Sequence, residues 1–272
     1  MTALATVVPQ SPQLEAGRST GLFHWNLVLA GLHLLQFAAM LVLSLARDPL
    51  VTAPVTSAYL AYDPGTRTLS DASRQLFELP IGPAVAAFLL LSAIAHLTMA
   101  LPARRWYEAR LARGQNPIRW IEYAFSSSLM IVVIASLSGV REIGTLIAIF
   151  GANAGMILFG WSMEAANEGR GRPQWLHFVF GSVMGLVPWI VIGVALATAA
   201  TAPGAVGIPG FVIAIYISMF ITFNIFALNM VLQNARIGPW RNYGYGERAY
   251  MILSLVTKTL LAWQVWAGTL RP

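Results

Sequence analysis

Seven apolar runs, each long enough to cross a bilayer and each followed by a link with arginine, proline or glycine, leave this 272-residue chain few possible architectures. They lie at about 25–46, 81–101, 118–140, 145–163, 176–200, 210–232 and 250–270. A span takes about 20 predominantly apolar residues. Inside hydrocarbon every backbone N–H and C=O must be satisfied within the protein, and a helix does this within one segment. The expected fold is therefore an all-α membrane protein, a seven-transmembrane-helix bundle. Composition agrees, with 57% hydrophobic and 10% charged residues, where a soluble domain carries about 25% charged. The chain shows no convincing internal repeat and no second domain. It divides into a polar N-terminal tail, 1–24, and one seven-helix domain, 25–272. Residues 1–20 lack a basic segment followed by an apolar one, so the first span is expected to serve as the targeting signal in place of a cleaved leader.

The arginines give an orientation. With the N-terminus inside, Arg18, Arg104, Arg105, Arg110, Arg113, Arg119, Arg170, Arg172, Arg236, Arg241 and Arg248 are cytoplasmic, and only Arg47, Arg67, Arg74, Arg141 and Arg271 are outside. That bias satisfies the positive-inside rule. It predicts a multi-pass protein of the cell membrane with its N-terminus cytoplasmic and its C-terminus outside. The net charge of +6 is accounted for by this layout and implies no nucleic-acid partner. Cysteine is absent, which excludes disulfides, thiolate metal sites and cysteine nucleophiles. One link is long, 47–80, on the predicted outside. Val51 to Tyr62 is rich in Val, Thr and Tyr, and Asp63 to Thr66 reads DPGT, a turn with proline second and glycine third. A small extracellular β-hairpin between the first two helices is expected there, lying over the bundle as a lid, an interaction surface or a passive linker.

Lys258 is the only lysine, and it sits in the middle of the apolar stretch MILSLVTKTLL. An ionised side chain at that depth costs several kcal/mol and marks a functional site by default. A buried lysine, unlike arginine, can form an imine with a carbonyl compound. The alternative is a lysine whose stem carries its charge to the interface. Of the eleven acidic residues, ten lie in tails, links or span ends; Glu122 lies a turn or two inside the third span. The third and seventh spans run in the same direction. At about 1.5 Å per residue Glu122 is about 8 Å and Lys258 about 12 Å beyond their starts, close enough for an ion pair. The alternative for Glu122 is a bond to interfacial water near Arg119.

Other polar groups cluster by helical spacing. Ser254 is one turn before Lys258, Glu122 shares a face with Ser126, and Ser127 and Ser128 lie beside them. His33 shares a face with Gln36 in the first span, and His96 follows Ser92 by one turn in the second. These histidines suit proton transfer and equally suit ordinary core hydrogen bonding. Neither has a second ligand at helical spacing, so no metal site is expected. His24 and His177 fall at span edges and are expected to face the interface.

Six stretches together resemble the heliorhodopsins: Gly31 to Gln36 (GLHLLQ), Arg119 to Tyr123 (RWIEY) with Ser126 to Ser128, Phe150 to Trp161 with Asn153 within it, Val187 to Trp189 (VPW), Gly246 to Tyr250 (GERAY), and Leu253 to Lys258 (LSLVTK). The resemblance covers essentially every span. It implies a seven-helix photoreceptor with a cytoplasmic N-terminus, inverted relative to other microbial rhodopsins, in agreement with the arginine layout. It also implies all-trans retinal bound to Lys258 as a protonated Schiff base, with Glu122 as counterion and Ser254 hydrogen-bonding nearby. By the same resemblance His33 and His96, with Gln36, belong to a polar cavity. Tyr123, Ser127, Met130, Asn153, Trp189, Phe223 and Trp263 match positions in or near the retinal pocket. For each aromatic, bundle packing is an equal reading of the residue itself. A homodimer is implied, with Gly151, Gly155 and Gly160 as weak support, and a signalling partner is implied without its identity.

The residues bear on transport as well. An outward proton pump of the better-known microbial type has a second carboxylate about three turns after the first; eleven residues beyond Glu122 stands Val133. The expectation is a light sensor without net ion transport, not an enzyme. A light-gated ion or proton channel, or a transporter that uses Lys258 and Glu122 as a coupling pair, is the alternative. The paired broken helices common in transporters are not evident.

Overall fold

The computed structural model describes residues 16–205 and 207–270. The tail at 1–15, the Arg18 side chain and Arg271 lie outside the described residues. Eight α-helices appear: α1 Ala16–Leu45, α2 Ile81–Ala100, α3 Arg104–Ala112, α4 Pro117–Leu137, α5 Ile143–Ala166, α6 Leu176–Thr201, α7 Gly210–Asn234 and α8 Tyr243–Val265, the last continued by a π turn at Trp266–Leu270. Seven are long and apolar enough to cross a membrane; α3 is not among them.

α2, α4 and α8 form the middle of the bundle, with α1 on α2, α5 on α4, α6 on α5 and α7 on α8. Phe88, Leu89, Ile131, Val133, Ile134, Leu261 and Val265 are almost wholly buried there. The outer helices turn rows of Val, Ile, Leu and Phe outward, for example Val179, Val183, Ile190 and Val194 on α6. A helix apolar all round suits a lipid solvent. Close approaches use glycine. A Cβ on Gly82 of α2 would collide with the Ser44 side chain of α1, and one on Gly160 of α5 would meet the Trp120 ring of α4 at 2.5 Å.

Helix starts follow their caps. Asn116 accepts from Arg119 N–H before α4, which has Pro117 in its first turn, and the Glu142 carboxylate accepts from Thr145 N–H before α5. These side chains satisfy donors that a helix start leaves open. Asn242 does the same for α8, accepting from Gly244 N–H at 3.0 Å. α8 thus begins seven residues before the apolar run at 250, or about 10 Å further out. This polar first turn lies outside the apolar run because Gly244, Gly246, Glu247 and Arg248 look like a loop in sequence. α3 falls outside the seven runs for the same reason of polarity.

The expected hairpin is present and longer than its sequence signal. β1 (Thr52–Asp63) pairs antiparallel with β2 (Thr68–Pro80), from Thr52 opposite Pro80 to Asp63 opposite Thr68, with a bulge at Val55 and Thr56. At the turn Asp63 accepts from Gly65 N–H at 2.8 Å and from the Thr66 hydroxyl at 2.9 Å. These bonds, Gly65 first, hold its carboxyl below the usual range. Only the base packs on the bundle: Ala53 and Val55 are buried, and Thr56 N–H donates to Arg141 C=O at 2.9 Å. The far half is exposed, including Tyr59, Leu60, Tyr62 and Leu69. The hairpin therefore rests on the helix ends at its base and extends beyond them.

Candidate functional site

Lys258 projects from the inner face of α8, 3% exposed. Its Nζ donates to Glu122 Oε1 of α4 at 3.0 Å and to Ser254 Oγ, one turn earlier on its own helix, at 2.8 Å. The Tyr123 ring lies 5.0 Å from the same nitrogen. Glu122 Oε1 also accepts from Ser92 Oγ of α2 at 2.7 Å. Three helices thus converge on one buried pair of opposite charges. Removing either member would strand the other in low dielectric, a loss of about 3–5 kcal/mol.

A cavity of about 240 Å³ opens beside Lys258 and is walled by α4, α5, α6, α7 and α8. Of the residues singled out in the sequence, Tyr123, Ser127, Met130, Trp189, Phe223, Ser254 and Lys258 line it. Trp189 is the hub of one wall, edge-on to Tyr216, Phe220 and Phe223 at 5.4–5.7 Å. Gly181 and Gly185, on the same face of α6 as Trp189, let that helix close on Met156 and Phe159 of α5. Tyr123 is fixed by a bond from its hydroxyl to Tyr250 C=O at 3.0 Å. Asn153 stands one layer behind the wall, donating to Ser127 and Ser128 at 2.7 and 3.1 Å. Most of the wall is aromatic or aliphatic, with Ser254, Thr257 and Lys258 of α8 among its few polar groups.

Two expectations need correction. Trp263 is not in the cavity wall: it is 38% exposed and packs against Trp266 at 5.7 Å. Five residues beyond Lys258, it points about 140° away around the helix. His177 does not simply face the interface, since it lines the cavity and shares a hydrogen bond with Ser162 at 3.0 Å.

On the other side of the ion pair, His33 and His96 stack with ring centroids 5.7 Å apart and planes within 9°. Both are buried. His96 Nδ1 shares a hydrogen bond with Asn26 Oδ1 at 2.7 Å. Gln36 is half-buried, a turn past His33. Asn26 was not singled out in the sequence, although it lies two turns before His33 on the same face of α1.

The largest surprise is a second buried charge centre. Arg119 was expected near water; it is 3% exposed and bridges two carboxylates, Glu164 of α5 at 2.7 Å and Glu247 of α8. Glu164 accepts also from Asn116 N–H, Trp120 Nε1 and the Tyr243 hydroxyl at 2.6–2.9 Å. Asn116 Nδ2 donates to Glu247 at 2.5 Å. The guanidinium lies over the rings of Tyr250 and Trp120, 4.0 and 4.6 Å from their centroids. On α3, which covers this end, burial and then the charge of Glu247 push the Tyr107 phenol well above its ordinary value. Each charged member falls at the edge of an apolar run, so nothing local in the sequence marks them as buried together.

The family model for heliorhodopsin matches residues 22–270. No curated protein matches the chain.

Proposed function

Because the chain belongs to the heliorhodopsin family, whose members are retinal-binding, light-responsive proteins of the rhodopsin type, we propose that it is a light sensor that uses Lys258 to hold all-trans retinal as a protonated Schiff base. The observation that carries this reading is the Lys258–Glu122 pair, 3.0 Å apart, beside a mostly apolar cavity that Lys258 lines. An amine suited to imine formation, an aromatic-walled space beside it and one carboxylate in reach fit a polyene aldehyde. Bound there, retinal supplies visible-light absorption and a light-driven change of shape.

The chain's own groups do the rest. Glu122 balances the positive charge on the lysine nitrogen and, with Ser92 and Ser254, sets how strongly that nitrogen holds its proton. Trp189, Phe223, Met130 and Tyr123 confine an apolar ligand and exclude water. His33, His96 and Gln36 provide polar surface behind Glu122, where a proton leaving the lysine nitrogen would find acceptors. A change in the Lys258–Glu122 distance alters a buried interaction linking α4 and α8, a local electrostatic event able to bias the bundle between two arrangements. Val133, wholly buried three turns beyond Glu122, offers no carboxylate for onward proton transfer, which supports sensing without net transport. The arginine bias supports a cytoplasmic N-terminus in the cell membrane. A homodimer and a separate signalling partner complete the reading. For the dimer, of the three glycines noted, only Gly151 is exposed with open space around it; Gly155 and Gly160 pack against Met184 and Trp120.

The test is Glu122→Gln in protein purified with all-trans retinal. Loss of the counterion is expected to shift the visible band to longer wavelength or to replace it with the near-ultraviolet band of a deprotonated imine. An unchanged spectrum would remove Glu122 from the role.

A further inference from the structure

We propose that Glu247 carries an exchangeable proton in the resting protein, which makes it a protonatable site separate from the Glu122–Lys258 pair. Arg119 is one cation between two carboxyl groups, and Glu164 and Glu247 are 7% and 1% exposed in their side chains. With both ionised, the centre would bury one uncompensated negative charge. The other buried lysine or arginine side chain among the described residues, Lys258, is already matched by Glu122. A buried charge without a partner neutralises itself by taking or losing a proton.

Geometry says which carboxyl takes it. Glu164 receives four donors: a guanidinium nitrogen, a backbone N–H, an indole N–H and a phenol. More donors to a carboxyl group favour its charged form. Glu247 receives only two, from Arg119 and the Asn116 amide. Glu247 also lines a second cavity of about 10 Å³ together with Glu122, His96 and Tyr123. That volume is about enough for one water molecule. A proton on Glu247 therefore sits across one small cavity from the counterion and from His96.

Infrared spectroscopy of the purified protein in water and in heavy water reads this directly, with retinal bound and, separately, in protein prepared without retinal. The wild type is expected to show a protonated-carboxyl carbonyl band that moves on deuteration, present with or without retinal, and absent from Glu247→Gln. No such band in the wild type, or a band that survives Glu247→Gln, would overturn the proposal. Should Glu247→Gln fail to fold, Glu247→Asp decides: a displaced band supports the assignment, and an unmoved one overturns it. Since the band does not depend on retinal, its absence would count against Glu247 alone and leave the reading of Lys258 untouched.

Discussion

At the scale of single residues, the site is a short chain of donors ending on one carboxylate oxygen. Glu122 Oε1 takes Lys258 at 3.0 Å and Ser92 at 2.7 Å. A hydrogen bond to a carboxylate stabilises and spreads its charge. Ser92→Ala removes that donor and leaves a more concentrated negative charge beside the lysine nitrogen. The visible band is expected to move to shorter wavelength, opposite in sense to Glu122→Gln, and an absorption maximum identical to the wild type would contradict the role of Ser92. Lys258 and Glu122 were legible in the sequence because each is an ionisable group inside an apolar run. Ser92 was noted only as a neighbour of His96; a serine in a membrane helix often bonds its own backbone, and nothing in one sequence says that this one reaches another helix.

At the scale of elements, apolar run length found all seven spans, because the thickness of the hydrocarbon layer sets the run length, with the starts of α1 and α8 lying nine and seven residues before their runs. What it misplaced were the polar ends. The first turn of α8 carries Glu247 and Arg248, and helix α3 carries Arg104, Arg105 and Arg110, so hydropathy stops short of both. The depth match drawn between Glu122 and Lys258 assumed equal helix starts; α8 begins about two turns further out, and the pair still meets because α4 and α8 do not start at one level. Helix packing depends on details that hydropathy does not register. Gly82 lets α2 approach Ser44 of α1 at the end of the bundle nearer the hairpin, away from the large cavity. Gly82→Ala is expected to cost about 1–3 kcal/mol through overpacking, seen as a lower thermal midpoint with the visible band in place. A variant as stable as the wild type would show that α1 and α2 part easily.

Across the whole molecule, the buried ion pairs among the described residues fall into two centres on α4, α5 and α8, with the large cavity beside one of them. Glu122 and Arg119 are three residues apart on α4, so that single helix presents an anion to one centre and a cation to the other. The first centre could be inferred from sequence, since one intramembrane acid and one intramembrane base imply each other. The second could not: Arg119, Glu164 and Glu247 are far apart in the chain, and each alone reads as an interfacial residue. Fold and ligand class were thus legible from run lengths and short motifs, whereas the linkage between charge centres is a product of tertiary packing. Lys258 as the proposed point of attachment for retinal is tested by the visible absorption spectrum of protein expressed with all-trans retinal, wild type beside Lys258→Ala. A visible band in the wild type that is absent from Lys258→Ala is the predicted result; no band in the wild type, or a band that persists without the lysine, would contradict it.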